Sequence, residues 1–417
     1  CDLPEQLAYG AFNWDSATPL GIFGTSASGR TAALRQLASS AAQAGLVTHV
    51  IGADLNQLAL PNAALAGSQL DTFHPCEVLR LTQLALEGKL RGQLLLIDDL
   101  DCVGEAIDTV LGLGEGRDVL EKLVNASRRG LFALALAGDL ANAPMRWCAN
   151  ISQRLYLGVC SDTLADQAGL KRCQQALNQV GAGVLTLASH WCAAQILLAP
   201  VLPTSAANLP ASVVDSPASA SDLPVNPSDT TTALAAAPVA ALPEIVPICP
   251  PWALGLGGDQ AQPWCPQLSQ GLVIIGPAGS GRSTALARVY DILQATDPAL
   301  AQRAIFIDNL DQACPSAINT VETALDAGTP VFATALTSRA ANTYSGALAQ
   351  LRSLSPLLLL APGLGEGAQL ANVRLTRWLD PHRQHLPGRG LVIASSQITP
   401  IQICQNTSPT FAANPQV

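Results

Sequence analysis

Short apolar runs recur along the first 200 residues, and stretches rich in Ala, Leu and polar residues separate them. The runs occupy residues 20–23, 48–51, 94–97, 131–136 and 154–158. Continuous apolar strands that alternate with helices are typical of a parallel sheet covered on both faces. We therefore expect an α/β fold with a mostly parallel sheet, closed at one edge by an antiparallel hairpin within residues 184–198.

The second half of the chain repeats the first. Three segments recur in the same order: residues 20–38 match 272–290, residues 93–101 match 303–311, and residues 181–199 match 388–405. Matched segments in one order indicate duplication of a fold. The first two segments lie 42 residues closer together in the second copy. This spacing predicts the loss of a strand–helix unit that corresponds to residues 45–55 and the stretch after them.

A segment of unusual composition, residues 201–243, separates the two copies. It contains seven Pro, many Ala, Ser and Thr, and neither Lys nor Arg. Such a composition predicts a flexible linker. The predicted organisation is a first domain at 1–200, the linker, a second and shorter domain at 244–408, and a tail at 409–417.

Charge and cysteine content narrow the possible functions. The chain has 31 acidic and 22 basic residues, a formal net charge of −9, which disfavours a broad nucleic-acid surface. Its 11 Cys show no C-x-x-C spacing, so we expect reduced thiols in a cytosolic protein and no zinc site. Because no run of about 18 apolar residues predicts a membrane span, any anchor would lie outside this chain.

A glycine-rich loop follows the first matched strand of each copy. Residues 24–31 read GTSASGRT and residues 276–283 read GPAGSGRS. Both fit the phosphate-loop pattern G-x-x-x-x-G-K-[ST], except that Arg replaces Lys. Gly permits a tight turn whose N–H groups converge on phosphate at a helix N-terminus. The candidate nucleotide-binding residues are Gly24, Ser28, Gly29, Arg30 and Thr31, and Gly276, Gly279, Ser280, Gly281, Arg282 and Ser283.

An apolar strand that ends in Asp supplies the acidic part of each expected site. LLLIDD ends in Asp98 and Asp99, and AIFIDN ends in Asp308 and Asn309. We expect Asp99 to be the catalytic carboxylate that polarises the attacking water, whereas Asn309 cannot act as a base. Since Arg is longer and planar compared with Lys, we expect nucleotide binding with slow hydrolysis. The candidate Mg²⁺ ligands are Thr31, Asp98, Ser283 and Asp308.

These motifs together resemble the ATPase domains of the FtsK/SpoIIIE family, most closely the multi-domain members that include the type VII secretion ATPases. The resemblance is carried by SGRTAAL and SGRSTAL, the two Asp-ending strands, residues 128–170, and LPGRGLV at 386–392. Within 128–170, residues 154–156 and Asp162 match a strand and an Asp-bearing turn of the family. The chain departs from the family at Arg30, Arg282 and Asn309, and in its shortened second copy.

The resemblance implies tandem P-loop domains of the RecA-like type that bind ATP and Mg²⁺. It also implies a ring oligomer, a hexamer in the family, that moves secreted protein cargo. Such a ring would lie at the cytoplasmic face of the membrane, anchored through regions outside this chain. Arg128 or Arg129 could act as an arginine finger in a ring neighbour, although a solvated helix end is the simpler interpretation.

Two alternatives remain open from the sequence. A DNA translocase of the same family would need a basic pore and an intact phosphate loop, and this chain shows neither. A non-catalytic scaffold that has kept the fold and lost its chemistry would fit Arg30, Arg282 and Asn309. Measured nucleotide binding separates the scaffold from both motors, and stimulation of ATP turnover by DNA separates the two motors.

Overall fold

The computed structural model describes most of the chain outside the segment between the two copies. The described residues are 2–3, 8–9, 12–58, 66–158, 163, 166, 170, 181–187, 190–196, 239–363, 366–372, 375, 377–378, 385–394 and 397–405. Most of the predicted linker, the whole predicted tail at 409–417 and Asp162 therefore lie outside the described residues.

In the first copy, strands and helices alternate as the apolar pattern predicts. The strands are β1 (Asp2–Leu3), β2 (Ala8–Tyr9), β3 (Leu20–Gly24), β4 (Thr48–Gly52), β5 (Ala66–Asp71), β6 (Leu94–Ile97), β7 (Ala133–Asp139), β8 (Gln153–Leu157), β9 (Ala182–Leu187) and β10 (His190–Gln195). The helices are α1 (Arg30–Gln43), α2 (Pro75–Leu86), α3 (Leu100–Leu111) and α4 (Glu115–Arg128).

Eight of these strands form one sheet in the order β10-β9-β8-β3-β7-β6-β4-β5. The central strand β3 pairs in parallel with both β7 and β8, and the hairpin β9–β10 continues the sheet in antiparallel fashion. The expected parallel sheet with an edge hairpin is thus confirmed. Strand β7 starts two residues later than predicted, because the chain turns at Gly130 with a φ of 76°. Strand β5 was not predicted, since AGSQLD contains a single large apolar residue.

The second copy follows the same plan. Its strands are β11 (Gly255–Gly257), β12 (Gln262–Trp264), β13 (Leu272–Gly276), β14 (Ile305–Ile307), β15 (Val331–Leu336), β16 (Leu357–Leu360), β17 (Arg389–Ala394) and β18 (Gln397–Ile403). Its helices are α5 (Arg282–Thr296), α6 (Pro298–Arg303), α7 (Pro315–Asp326), α8 (Thr337–Ala341), α9 (Ala347–Leu354) and α10 (Glu366–Ala371).

The second sheet has the order β12-β11-β18-β17-β16-β13-β15-β14. Strands β13 to β18 take the places of β3, β6, β7, β8, β9 and β10, so the sheet ends at β14 where the first continues with β4 and β5. The second sheet is therefore two strands shorter at this edge, where the spacing predicted the loss of one strand–helix unit. A short hairpin, β11–β12, extends the opposite edge by pairing with β18. The sequence did not predict this hairpin, because its strands are short and rich in Gly and polar residues.

Apolar side chains cover both faces of the second sheet. Successive residues of a strand point to opposite faces, and along β13 Val273 and Ile275 join one buried cluster while Leu272 and Ile274 join another. This two-sided burial explains why the central strand is apolar without interruption. The same requirement holds for β3, all five residues of which are buried.

The chain divides into two compact units. One comprises Cys1–Gly67, Leu84–Asp101 and Glu121–Ala236, and the other comprises Ser68–Gln83, Cys102–Leu120 and Ala237–Val417. The domain boundaries expected from the sequence stay a prediction. Among the residues that the structure describes, none belongs to a helix long and apolar enough to cross a bilayer.

Candidate functional site

The first glycine-rich loop joins β3 to α1. Strand β3 ends at Gly24 and helix α1 begins at Arg30, directly after Gly29, whose φ is 105°. Ala27 also has a left-handed φ of 59°, which is uncommon for a residue with a Cβ atom. The loop therefore reverses the chain within a few residues and aims the first N–H groups of α1 at its own centre.

The second loop has the same backbone conformation. Strand β13 ends at Gly276, and α5 begins at Arg282 after Gly281, with a φ of 93°. The place of Ala27 is taken by Gly279, whose φ is 77°. Matching left-handed residues at matching places show that both copies keep a phosphate-loop geometry, and the second copy uses the residue that suits it better.

The first glycine of each loop is required by close packing. A Cβ atom on Gly24 would lie 2.4 Å from Ser28 Oγ and 2.9 Å from the Leu157 carbonyl oxygen. A Cβ atom on Gly276 would lie 2.3 Å from Ser280 Oγ. Each loop is therefore folded back over its own serine, which explains the Gly and Ser of the pattern.

The structure brings the predicted hydroxyl and carboxylate together in both copies. Thr31 Oγ1 donates to Asp98 Oδ2 at 2.8 Å, and Ser283 Oγ donates to Asp308 Oδ2 at 2.8 Å. Each pair joins the first turn of the loop helix to the end of an apolar strand. The two pairs are separated by 67 and 25 residues in sequence, so the fold itself assembles them.

The carboxyl of Asp98 lies in a mixed electrostatic environment. Burial raises its pKa above the ordinary Asp value, and the neighbouring charge of Asp99 raises it further. The hydrogen bonds from Thr31 and from the Asp99 N–H, together with the positive charge of Arg30, act in the opposite direction. The Arg30 guanidinium thus compensates part of the negative charge that the two acids bring to the site.

The residue after this carboxylate has an unusual backbone in both copies. Asp99 and Asn309 each have a φ of 56°, and Asp and Asn tolerate the left-handed region better than most residues. The Asp99 N–H donates to Asp98 Oδ1 at 3.1 Å. In the second copy the Asn309 N–H donates instead to Thr334 Oγ1 at 2.8 Å, and Thr334 donates to Asp308.

Thr334 was missed in the sequence. It lies in the middle of β15, fully buried, and occupies the place that Ala137 has in β7, since both pair with the matching residue of the central strand. Through it, both oxygens of Asp308 accept a hydroxyl hydrogen bond. The signal available in the sequence was one hydroxyl residue inside the apolar run VFATAL.

Each edge hairpin contacts the phosphate loop of its own copy. Gly181 N–H donates to the Ser28 carbonyl at 3.1 Å, and Gly388 N–H donates to the Ser280 carbonyl at 2.8 Å. The sequence predicted the hairpins but not these contacts. Each contact holds the serine that precedes the last glycine of the loop, so each hairpin supports its loop from outside.

Comparisons with known proteins bear on this arrangement. Similar solved structures include ATPases 2 and 3 of EssC from Geobacillus thermodenitrificans, with 12% identity, a TM-score of 0.58, and coverage of 97% of this chain and 94% of that chain. ATPases 2 and 3 of Thermomonospora curvata EccC, in complex with a signal sequence peptide, have 14% identity and a TM-score of 0.52, and the match covers 94% of this chain and 89% of that chain. The cytoplasmic domain of EssC has 13% identity and a TM-score of 0.50, and the match covers 97% of each chain. No protein-family model and no curated protein matches.

The chain has the fold of tandem P-loop ATPase domains. The expected resemblance to FtsK/SpoIIIE-type secretion ATPases is confirmed at the level of the fold. At these identities the likeness extends to the architecture, and the chemistry has to be argued from the residues themselves.

Several buried polar atoms in the P-loops fit an anionic ligand. Ser28 Oγ, Ser280 Oγ and Arg282 Nη1 are buried and have no hydrogen-bond partner among the described residues. A guanidinium N–H without an acceptor is costly, and a phosphate oxygen would satisfy it. The hydroxyl and carboxylate oxygens beside each loop are the hard ligands that Mg²⁺ takes together with nucleotide phosphates.

The arginines that the sequence analysis singled out outside the loops differ in their surroundings. Arg154 has a structural role: it donates to the carbonyls of Ile151, Ala143 and Cys148 at 2.8, 3.1 and 2.7 Å, which ties the segment before β8 to that strand. Arg128, at the end of α4, and Arg129 are exposed. Their assignment as an arginine finger in a ring neighbour stays a prediction.

Proposed function

We propose that this chain is a nucleotide-binding segment of a protein-secretion motor, with one weakly hydrolytic site and one site that binds without hydrolysis. The observation that carries the proposal is the hydroxyl–carboxylate hydrogen bond of 2.8 Å beside a P-loop in both copies. A glycine turn without a ligand role would not require this pair. It would also not require the buried guanidinium N–H of Arg282, which has no partner among the residues that the structure describes.

In the first copy the residues divide the work. The N–H groups at the start of α1 bind phosphate oxygens, and Arg30 supplies the positive charge that Lys supplies in the usual motif. Thr31 and Asp98 would hold Mg²⁺, which when bound would neutralise part of the charge on the phosphates. Asp99, held next to Asp98 by its left-handed backbone, orients a water molecule and accepts its proton.

In the second copy the binding elements remain and the base is missing. Gly276, Gly279 and Gly281 form the loop, Arg282 reaches phosphate, and Ser283 with Asp308 holds Mg²⁺. Asn309 has the backbone of Asp99, but its neutral amide accepts no proton at ordinary pH. Bound nucleotide in this site would stabilise a conformation and would not be turned over.

The cargo is a secreted protein, and the working form is a ring of several copies. Support comes from the fold shared with EssC and EccC, one structure of which contains a signal sequence peptide. The net charge of −9 disfavours DNA as the transported polymer. Regions outside this chain would anchor the ring at the cytoplasmic face of a membrane.

A titration of a fluorescent ATP analogue into the full chain tests the proposal. Binding should require Mg²⁺ for full affinity and should disappear in a chain that carries both Gly24→Val and Gly276→Val, since each added side chain enters its own loop. Gly363→Val is the matched control, because a Cβ atom there meets open space. If the wild-type chain binds no nucleotide, the non-catalytic scaffold becomes the remaining interpretation. Turnover that rises with double-stranded DNA would favour the DNA translocase.

A further inference from the structure

A Pro-rich segment leads into the second P-loop domain, and we call residues 239–254 the strap. Pro243, Pro247, Pro250 and Pro251 interrupt it, and the structure describes it without regular helix or strand. It is nevertheless docked, because Val239, Leu242, Val246, Cys249, Ala253 and Leu254 are buried. One isolated bridge pairs Val246 with Cys404 at the end of β18.

Arg288 holds the C-terminal part of the strap. It lies on α5, the helix that begins at the second P-loop, and it is 5% exposed. Its Nε and Nη2 atoms donate to the Ala253 carbonyl at 3.0 and 2.9 Å, and Nη2 also donates to the Pro250 carbonyl at 2.6 Å. The strap forms no helix or strand that would pair its backbone regularly, and the guanidinium donates to carbonyls of this irregular backbone.

Arg389 holds the N-terminal part of the strap. It is 9% exposed at the start of β17, and its Nη2 donates to the carbonyls of Leu242 and Pro243 at 3.0 and 2.9 Å. Its Nε donates to Gln402 Oε1 at 3.0 Å. Gln402, itself buried, donates to the Pro387 carbonyl at 2.9 Å. The guanidinium therefore connects the strap to both strands of the edge hairpin.

A short path leads from these contacts to the P-loop. Gly388, the residue before Arg389, donates to the Ser280 carbonyl at 2.8 Å and accepts from the Ile403 N–H at 2.8 Å. Its φ of 77° lets the chain turn from the loop contact into β17. Arg288 lies on the helix that starts at the loop, fewer than two turns after Arg282.

The first copy has the loop contact without either arginine. Gly181 contacts Ser28 as Gly388 contacts Ser280, but Ala182 stands in the place of Arg389. Gln36 stands in the place of Arg288, and its Oε1 is buried with no partner among the described residues. Among the described residues, the strap attachment is thus an addition to a shared design that is found in the copy with Asn309 in the place of Asp99.

We propose that Arg288 and Arg389 are positioning residues that make the strap part of the support of the second P-loop. When the strap is displaced, the hairpin and α5 lose their shared anchor, and the loop at 276–283 loosens. A pull on the segment before the strap would in this way weaken phosphate binding in the second copy and leave the first unchanged. The expected weakening of nucleotide binding rests on the proposed function, whereas the expected loosening of the loop does not.

Hydrogen exchange on the full chain without nucleotide tests the structural part. The variants are Arg288→Met and Arg389→Met, each of which keeps much of the buried volume and removes the donors. Loss of hydrogen bonds from a charged donor should speed exchange of peptides over 276–283 and 386–392 about 10-fold. Peptides over 24–31 should keep the wild-type rate.

Arg352→Met is the matched control. Arg352 is a part-buried arginine of the same domain that donates to the carbonyls of Ala340 and Thr343 at 2.7 and 3.1 Å, away from the strap and the loop. It should leave exchange at 276–283 unchanged. If a Met variant fails to fold, Arg288→Lys and Arg389→Lys replace it, and each should give a smaller change in the same peptides.

A nucleotide-binding measurement separates this inference from the proposed function. In a chain carrying Gly24→Val, so that the second loop alone binds, Arg389→Met should weaken binding of the ATP analogue about 10-fold and Arg352→Met should not. Unchanged exchange and unchanged affinity in both strap variants would overturn the inference. Faster exchange in a chain that binds no nucleotide would support the strap's role and contradict the proposed function instead.

Discussion

In the first copy Asp99 follows the carboxylate that pairs with the loop hydroxyl, and in the second copy Asn309 follows it with the same φ of 56°. Asp and Asn have nearly the same shape, and both tolerate this backbone region. The exchange therefore removes a proton acceptor without disturbing the loop around it. A duplicated fold can in this way lose chemistry at one position while its binding geometry is kept.

The two copies also differ in what supports the loop. The first sheet extends past β6 with two further strands, whereas the second stops at β14 and extends the opposite edge with the hairpin β11–β12. In the second copy two buried arginines, Arg288 on α5 and Arg389 on β17, attach the strap to these elements. These differences accord with the proposed division, in which the first site turns nucleotide over and the second holds it.

The largest expected effect comes from making the first copy like the second. Asp99→Asn should reduce ATP turnover by the full chain about 100-fold, the lower end of what a positioned base contributes. Affinity for the ATP analogue should stay within a factor of two to three. Steady-state phosphate release measures the rate. Asn309→Asp is the reciprocal control and should add little, because Arg282 still replaces Lys. A rate unaffected by Asp99→Asn would show that turnover does not depend on this acid.

A smaller effect, of the opposite sign, is expected from restoring the usual loop residue. Arg30→Lys should raise turnover about 10-fold, because a compact ammonium reaches the β- and γ-phosphates where a planar guanidinium does not. Arg282→Lys should raise nothing, since no base follows Asp308. Single-turnover assays on the two variants, run in parallel, measure the difference. Brisk turnover by the wild type would contradict the role given to Arg30.

Stability should respond to pH through His49, which lies on β4, a strand with no counterpart in the second sheet. His49 lies buried on β4 and hydrogen-bonds Gln93 at 2.6 Å. Burial lowers its pKa below 6.5, and the bond to Gln93 offsets part of this. The unfolded chain therefore binds more protons below pH 6.5, so the free energy of unfolding should fall as the pH falls through that range.

Thermal melting between pH 8 and pH 5 checks this prediction. His49→Gln should flatten the dependence of the melting temperature on pH, and the exposed His385→Gln should leave it as in the wild type. If His49→Gln keeps the wild-type slope, other groups carry the pH dependence.

The smallest effects concern thiols of the second copy. A hydrogen bond to Ser316, with backbone N–H groups at the start of α7, lowers the pKa of the exposed Cys314 thiol. Burial raises the pKa of Cys249 to about 12 and that of Cys265 to about 11. Since the thiolate is the reactive form, iodoacetamide should label Cys314 first and these two last. Mass spectrometry at successive times measures the order, and early labelling of Cys249 would show that the strap is open.

The local parts of this site could be predicted from the sequence. The glycine spacing and the Asp-ending strands depend on residues close together in the chain, and the repeat compares one such local segment with another. All three led to the correct elements. Thr334, Gly388 and Arg389 could not be assigned in this way. Their partners are defined by strand pairing and by a strap whose composition resembles a linker, so their contacts exist only once the sheet has formed.

If the two copies divide the work as proposed, both loops bind nucleotide, and the first binds ATP–Mg²⁺ more tightly because it has the carboxylate Asp99 where the second has the neutral Asn309. The most direct test is to titrate the fluorescent ATP analogue into two full-length variants, Gly276→Val and Gly24→Val, each of which leaves one loop intact. Both variants should bind in a Mg²⁺-dependent way, with the smaller dissociation constant in Gly276→Val. Equal constants, or tighter binding by Gly24→Val, would contradict the division of roles between the two copies.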